Sequence, residues 1–218
     1  DQRNLAYQAA HILRNRFHCK DGVTIRIKKQ IPVAAGLGGG SSDAAAVLRA
    51  LNSIWRLGLS LSELAKIALT IDSDVPYCIY NKLAHVTGHG EKIELLPPQP
   101  HYWAVIAKQK ISVSTPQILR QINYEKLHHL NNEALLASLK KEDWQEATKY
   151  MGNVLEPLTM KFYPEIGRLK NKMKELGADV AQMSGTGPTV FAICHTESRA
   201  KRIQNSIRGF CRDVHVVT

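Results

Sequence analysis

Pro32-Val33-Ala34-Ala35-Gly36-Leu37-Gly38-Gly39-Gly40-Ser41-Ser42-Asp43 is the stretch on which the reading of this chain turns. Four of the five positions 36–40 are glycine, and two serines follow. Behind them, residues 44–55 place Val47, Leu51, Ile54 and Trp55 on one side of a helix. Glycine lets the backbone approach an anion closely, and the first turn of a helix adds unpaired N–H donors and the positive end of a dipole. A polyphosphate suits that environment. Ser41 and Ser42 offer hydroxyls to phosphate or to a magnesium ion, and Asp43 is placed to cap the helix. A hinge with an N-cap is the plain alternative, because glycine clusters often mark only turns. The paired serines and the helix directly behind them favour phosphate. No lysine follows the last glycine, so this is not a Walker loop, and a cationic helper for a transferred phosphoryl group must come from elsewhere in the fold.

Upstream, Leu5, Ala9, Ile12, Leu13 and Phe17 have helical spacing, and Val23, Ile25 and Ile27 alternate with polar residues as in a half-buried strand leading to the loop. Downstream, Gly58 is placed to end the first long helix, and Ser60-Leu61-Ser62-Glu63 is a capping box opening another, to about residue 69. An Asp-rich turn at residues 72–74, an apolar piece at 75–80 and a hairpin around Thr87-Gly88-His89-Gly90 come next. Leu96-Pro97-Pro98-Gln99-Pro100 breaks regular structure and marks the expected domain boundary, between residues 1–97 and 101–218. Strands are expected at 102–107, 179–183, 189–194 and 214–217, and helices after Thr115-Pro116, near 133–150, at 164–176 and at 197–208. That alternation predicts an α+β half on a small antiparallel sheet.

Composition narrows the functional classes. With 218 residues, 44% of them hydrophobic, the chain can bury an ordinary globular core. Its formal net charge of +10 suits an anionic partner such as a nucleotide, a phosphorylated metabolite or nucleic acid. The cations are dispersed in short doublets such as Lys28-Lys29, without interleaved aromatics, which argues against a nucleic-acid surface. No apolar run approaches the roughly 20 residues a membrane helix needs. The four cysteines show no metal or redox spacing and read as reduced thiols, which with the absence of a secretory signal predicts a cytoplasmic protein without nucleic-acid or membrane partners.

Residues 32–42 resemble the PxxxGLGSSAA-type ATP loop of the GHMP kinase superfamily, in the GLGGGSSDAAA form that is similar to the diphosphocytidyl-methylerythritol kinases. Two further segments agree: residues 69–76 resemble the family's GxDVPF segment, and Met183-Ser184-Gly185-Thr186-Gly187-Pro188-Thr189-Val190-Phe191 its MSGSGPTVF turn. Asn4-Leu5, residues 87–91 and Asn153-Val154-Leu155-Glu156 match less closely, in the expected order. The resemblance implies a two-domain GHMP kinase fold, with a ribosomal-S5-domain-2-like N-terminal half and a ferredoxin-like C-terminal half. It implies ATP and Mg2+ at Pro32, Val33, Ala34, Ala35, Gly36, Leu37, Gly38, Gly39, Gly40, Ser41 and Ser42, with Lys29 beside the nucleotide. It makes Asp74 the acid-base residue, with Asp72 as its rival, and places Thr115, Gly185 and Thr186 at a cytidine diphosphate-linked alcohol. The implied activity is phosphorylation of that alcohol's 2-hydroxyl in non-mevalonate isoprenoid synthesis, by a monomer or weak homodimer. Mevalonate, homoserine or sugar phosphorylation is the alternative within the superfamily, and a non-catalytic nucleotide- or RNA-binding module the alternative outside it. Two departures stand out. Leu119 replaces an aromatic the family often carries, and the family's N-terminal PAKINL-type strand with its lysine has no counterpart, so the N-terminal half is expected to be truncated at its start.

Overall fold

All four strands expected beyond residue 100 form, whereas the one expected at residues 23–27 does not. The computed structural model describes residues 2–211 and 213–218, which divide into two units. The first comprises the chain up to Ile31 together with Gly38–Pro98; the second comprises Pro32–Leu37 and Gln99–Thr218. The glycine loop is therefore divided, with residues 32–37 in the second unit and 38–43 in the first.

In the first unit, α1 (Leu5–Arg16) starts at Asn4, whose side chain accepts from the Ala6 N–H, and it packs on α2 (Gly39–Ile54). Small residues let the two helices approach: Ala9 and Ala44 are fully buried, as are Leu13 and Leu48, each Leu worth roughly 1.5–3 kcal/mol in burial. Helix α2 begins five residues before the expected start. It ends at Ile54 with Trp55 as C-cap and Arg56 already left-handed, before Gly58 is reached. Helix α3 (Leu61–Ala68) opens with the expected Ser60/Glu63 capping box. The apolar piece becomes α4 (Val75–Tyr80), and β1 (Ala84–Thr87) pairs antiparallel with β2 (Lys92–Leu95). At 23–27 the alternation is present but the ladder is not. Among the described residues no strand runs beside it, and Val23, Ile25 and Ile27 instead line an open groove of about 280 Å³ with Tyr7, Ala10 and Trp55.

In the second unit, β3 (Trp103–Lys108), β4 (Val180–Met183), β5 (Thr189–Cys194) and β6 (Asp213–Val217) form an antiparallel sheet in the order β4-β5-β3-β6. Period-2 alternation turns Val105, Ala107, Val190, Ala192 and Cys194 inward. Ile166, Leu169 and Met173 of α9 (Pro164–Glu175) and Ala200, Ile203 and Ile207 of α10 (Glu197–Ile207) cover that face. Between β3 and β4 lie α5 (Thr115–Leu119), α6 (Asn132–Lys140), α7 (Trp144–Tyr150) and α8 (Glu156–Phe162). Helix α8 was not expected; its Pro157 is tolerated because proline in a first turn removes only an N–H that would be unpaired anyway. All four cysteines are free, and no described helix is long and apolar enough to cross a membrane.

Candidate active site

The glycine loop takes its shape from left-handed residues in alternation, Ala34 at φ 51°, Gly36 at 70° and Gly38 at 61°. Alternating hand is the backbone pattern of anion-binding nests, in which successive N–H groups turn toward one side. The two parts of the loop are held differently. In the second unit, the Lys108 ammonium donates to the Val33 carbonyl at 2.9 Å, and the Ser184 hydroxyl to the Gly36 carbonyl at 2.7 Å. A Cβ on Gly36 would lie 2.5 Å from the Ser184 carbonyl oxygen, so only glycine fits there. In the first unit, a Cβ on Gly38 would meet nothing within 4 Å.

Gly38 is the N-cap of α2 and supplies no side chain to the first turn, which also has no acidic residue. The first intrahelical bond to its carbonyl comes from the Ser42 N–H at 2.9 Å. The amides of Gly39, Gly40 and Ser41 therefore have no partner within the helix, at its positive end. Ser41 is buried and Ser42 exposed. The cap expected of Asp43 is not made. Helix α2 starts so early that Asp43 is its fifth residue, beyond reach of the free amides, and its carboxylate pairs instead with the Lys29 ammonium at 2.5 Å. Lys29 also donates to the Gly39 carbonyl at 3.3 Å, which brings its ammonium to the start of α2.

The two aspartates divide their work. The Asp72 carboxylate accepts the Asp74 N–H at 3.0 Å, an Asx turn that shapes the segment. Asp74 is the N-cap of α4 yet makes no side-chain capping bond, leaving its carboxyl open. The protein around it partly desolvates that exposed carboxyl and Asp72 adds a like charge, both raising its pKa above the ordinary aspartate value. The turn is held from outside. Gly90, at the tip of the β1–β2 hairpin, packs so closely that a Cβ there would lie 2.1 Å from the Ser73 carbonyl oxygen. Arg49 of α2 donates to the Cys78 and Ile79 carbonyls of α4 at 2.7 and 3.1 Å. In the second unit, the Thr115 and Thr186 hydroxyls meet at 2.7 Å, and Gly185 lies beside Gly36. Leu119 is 45% exposed.

The GHMP kinases N terminal domain family matches residues 4–82 and the GHMP kinases C terminal family residues 135–213. The chain is 98% identical to a 4-diphosphocytidyl-2-C-methyl-D-erythritol kinase of Limosilactobacillus reuteri, over all 218 residues and 77% of that protein. The chain belongs to the GHMP kinase family. It is also 70% identical to the enzyme of the same name in Limosilactobacillus fermentum, over all of this chain and 77% of that protein. A crystal structure of 4-(cytidine 5'-diphospho)-2C-methyl-D-erythritol kinase superposes with a TM-score of 0.83 at 31% identity, covering 99% of this chain and 77% of the other. Homoserine kinase from Cytophaga hutchinsonii superposes with a TM-score of 0.85 at 21% identity over 100% and 76%, a likeness of fold alone. In this GHMP kinase, sequence reasoning missed Lys108 and Ser184 as supports of the loop and Gly90 as the support of the Asp turn. Glycine at the tip of a hairpin was visible, but what it packs against was not.

Proposed function

We propose that the chain transfers the γ-phosphoryl group of ATP to the 2-hydroxyl of 4-diphosphocytidyl-2-C-methyl-D-erythritol. The observation that carries this reading is the 98% identity to a kinase of that name over every residue of the chain. In this reading the free amides of Gly39, Gly40 and Ser41 and the N–H groups of residues 33–38 receive the phosphates, and Lys29 adds positive charge at the helix start. No group of three or more His, Cys, Asp or Glu able to hold a metal occurs among the described residues. The hydroxyl oxygens of Ser41 and Ser42 fit a magnesium ion carried mainly by phosphate and water. When bound, magnesium shields charge on the triphosphate. Asp74 accepts the hydroxyl proton, since its carboxyl is open and its raised pKa brings it nearer the range where a base works well. Thr115, Gly185 and Thr186 serve the alcohol substrate. The free thiols suit a cytoplasmic enzyme, acting as a monomer or weak homodimer.

The test is steady-state phosphorylation of the cytidylyl alcohol, with mevalonate and homoserine as competing acceptors. Asp74→Asn is expected to lower turnover by about 10²- to 10⁴-fold with nucleotide binding nearly intact. Asp72→Asn keeps an oxygen for the Asp74 N–H and is expected to lose little. A crippling Asp72→Asn, or full turnover by both variants, overturns the assignment, and turnover of homoserine or mevalonate alone overturns the substrate.

A further inference from the structure

Helix α8 opens with a buried carboxylate that neither the glycine loop nor the Asp turn uses. Glu156 is 7% exposed; its Oε1 accepts the Met183 N–H at 2.8 Å, and its Oε2 pairs with the Lys170 ammonium of α9. Three residues upstream, Asn153 Nδ2 donates to the Met183 carbonyl at 2.9 Å and to the Gly185 carbonyl at 2.8 Å. The Asn153 Oδ1 accepts the Leu155 N–H at 2.9 Å, so every polar atom of that side chain has a set direction. Asn153 and Glu156 together take both backbone polar groups of Met183 and the carbonyl of Gly185.

Those residues lead into the glycine-rich turn after β4. The turn is closed on itself by the Ser184 N–H to the Thr189 carbonyl and the Gly187 N–H to the Ser184 carbonyl, both at 2.9 Å. From it the Ser184 hydroxyl reaches the Gly36 carbonyl at 2.7 Å, and the Ser184 carbonyl is the atom that leaves no room for a Cβ on Gly36. A continuous polar path thus runs from Lys170 through Glu156 and Asn153 to the turn, and from the turn to the first part of the glycine loop, all within the second unit. A buried ion pair contributes little net stability, because desolvation offsets attraction; its firmer use is to fix one arrangement out of several.

We propose that Asn153 and Glu156, backed by Lys170, are positioning residues for the nucleotide loop: they fix the turn at residues 183–187, and the turn fixes Gly36. This rests on the reading of the loop as the ATP site. The cluster at the other end of β4 supplies the contrast. There Asp179 bonds His195 at 2.6 Å and Arg199 at 2.9 Å, which secures the sheet without touching the turn.

The experiment measures Mg-ATP affinity by calorimetry, melting temperature, and amide hydrogen exchange without nucleotide, in the whole protein. Asn153→Asp keeps the oxygen that accepts the Leu155 N–H but sets a carboxylate against two carbonyls. It is expected to weaken Mg-ATP binding by about 3- to 30-fold. Exchange at the Met183, Ser184 and Gly187 amides should quicken, while Asp179→Asn lowers the melting temperature without either change. Ser184→Ala removes only the link to Gly36, so it should also weaken binding, and Asn153→Asp should have a smaller effect in its background. Equal losses of affinity in Asn153→Asp and Asp179→Asn, strict additivity with Ser184→Ala, or unchanged affinity in Ser184→Ala would each overturn the proposal. If Asn153→Asp does not fold, Ser184→Ala alone decides. Wild-type protein that binds no nucleotide overturns the reading of the loop instead, and the exchange rates still report whether Asn153 fixes the turn.

Discussion

Gly36 and Gly38 stand two residues apart in one loop, both with positive φ, and they are glycine for different reasons. Gly36 is hemmed in by the protein: its missing Cβ would collide with the Ser184 carbonyl, and its own carbonyl is bonded by the Ser184 hydroxyl. Gly38 faces open space at a helix start whose amides are unsatisfied. Packing thus fixes one part of the loop and leaves the other free for a ligand. A sequence reads both as the same letter.

The largest effect that would break this comparison is at Gly36. Gly36→Ala adds a Cβ 2.5 Å from a backbone oxygen in a left-handed conformation. It is expected to cost about 2–4 kcal/mol of stability, seen as a lowered melting temperature, and to abolish nucleotide binding together with it. A Gly36→Ala protein with wild-type melting and affinity would show that the two glycines do not differ. At Gly38 stability and binding should separate. Gly38→Asn tolerates the left-handed conformation, so melting should change little, while its side chain enters the open space and weakens Mg-ATP binding on the order of 10-fold. Calorimetry beside a melting curve reads both. Loss of stability without loss of affinity would mean that the space is not the ligand's.

Lys29 sharpens the comparison more gently. Exposed ion pairs are worth about 0.2–1 kcal/mol, so Lys29→Met should barely alter melting, since Asp43 can be solvated instead. If Lys29 also faces phosphate, KM for ATP should rise several-fold and kcat much less. An unchanged KM would make Lys29 a structural partner of Asp43 and nothing more.

How much of this was legible in the sequence follows from how local each cause is. The sheet of the second unit was readable because period-2 alternation and flanking turns are properties of each strand itself, as in Thr189–Cys194. Residues 23–27 carry the same alternation, but a strand also needs a partner, and no pattern within a segment reports one. The loop drew attention through its glycine spacing, and the Asp turn through the resemblance of residues 69–76 to a family segment. The start of α2 and the Asp43–Lys29 pair were not, because Gly39 and Gly40 are poor helix formers whose inclusion is decided by packing, with Gly40 close beside Leu5. Asn153 and Glu156 matched a motif, but their partners lie 27 to 32 residues away.

The contrast between a satisfied group and an open one recurs at the two aspartates, where it makes the smallest and most particular prediction. Asp72 is engaged by the backbone; Asp74 is not, and its pKa is raised by desolvation first and by Asp72 second. A raised carboxyl pKa reverses the usual dependence of stability on pH. Below the ordinary aspartate value of about 3.9, folded and unfolded chains both carry the proton and Asp74 imposes no penalty. As pH rises through the higher folded-state value, the unfolded chain ionises more readily, and the stability present in acid is lost. Asp74→Asn has no proton to lose, so it should melt level with the wild type in acid and above it at neutral pH. The group is exposed, and solvent screening keeps the difference on the order of 1 °C. Asp72→Asn, run in parallel, should show a smaller gain on going to neutral pH, because it removes only the like charge beside Asp74, the lesser of the two causes, while its remaining oxygen still serves the turn. A gain at neutral pH for Asp72→Asn and not for Asp74→Asn would mean that the open, proton-accepting carboxylate had been placed two residues too late.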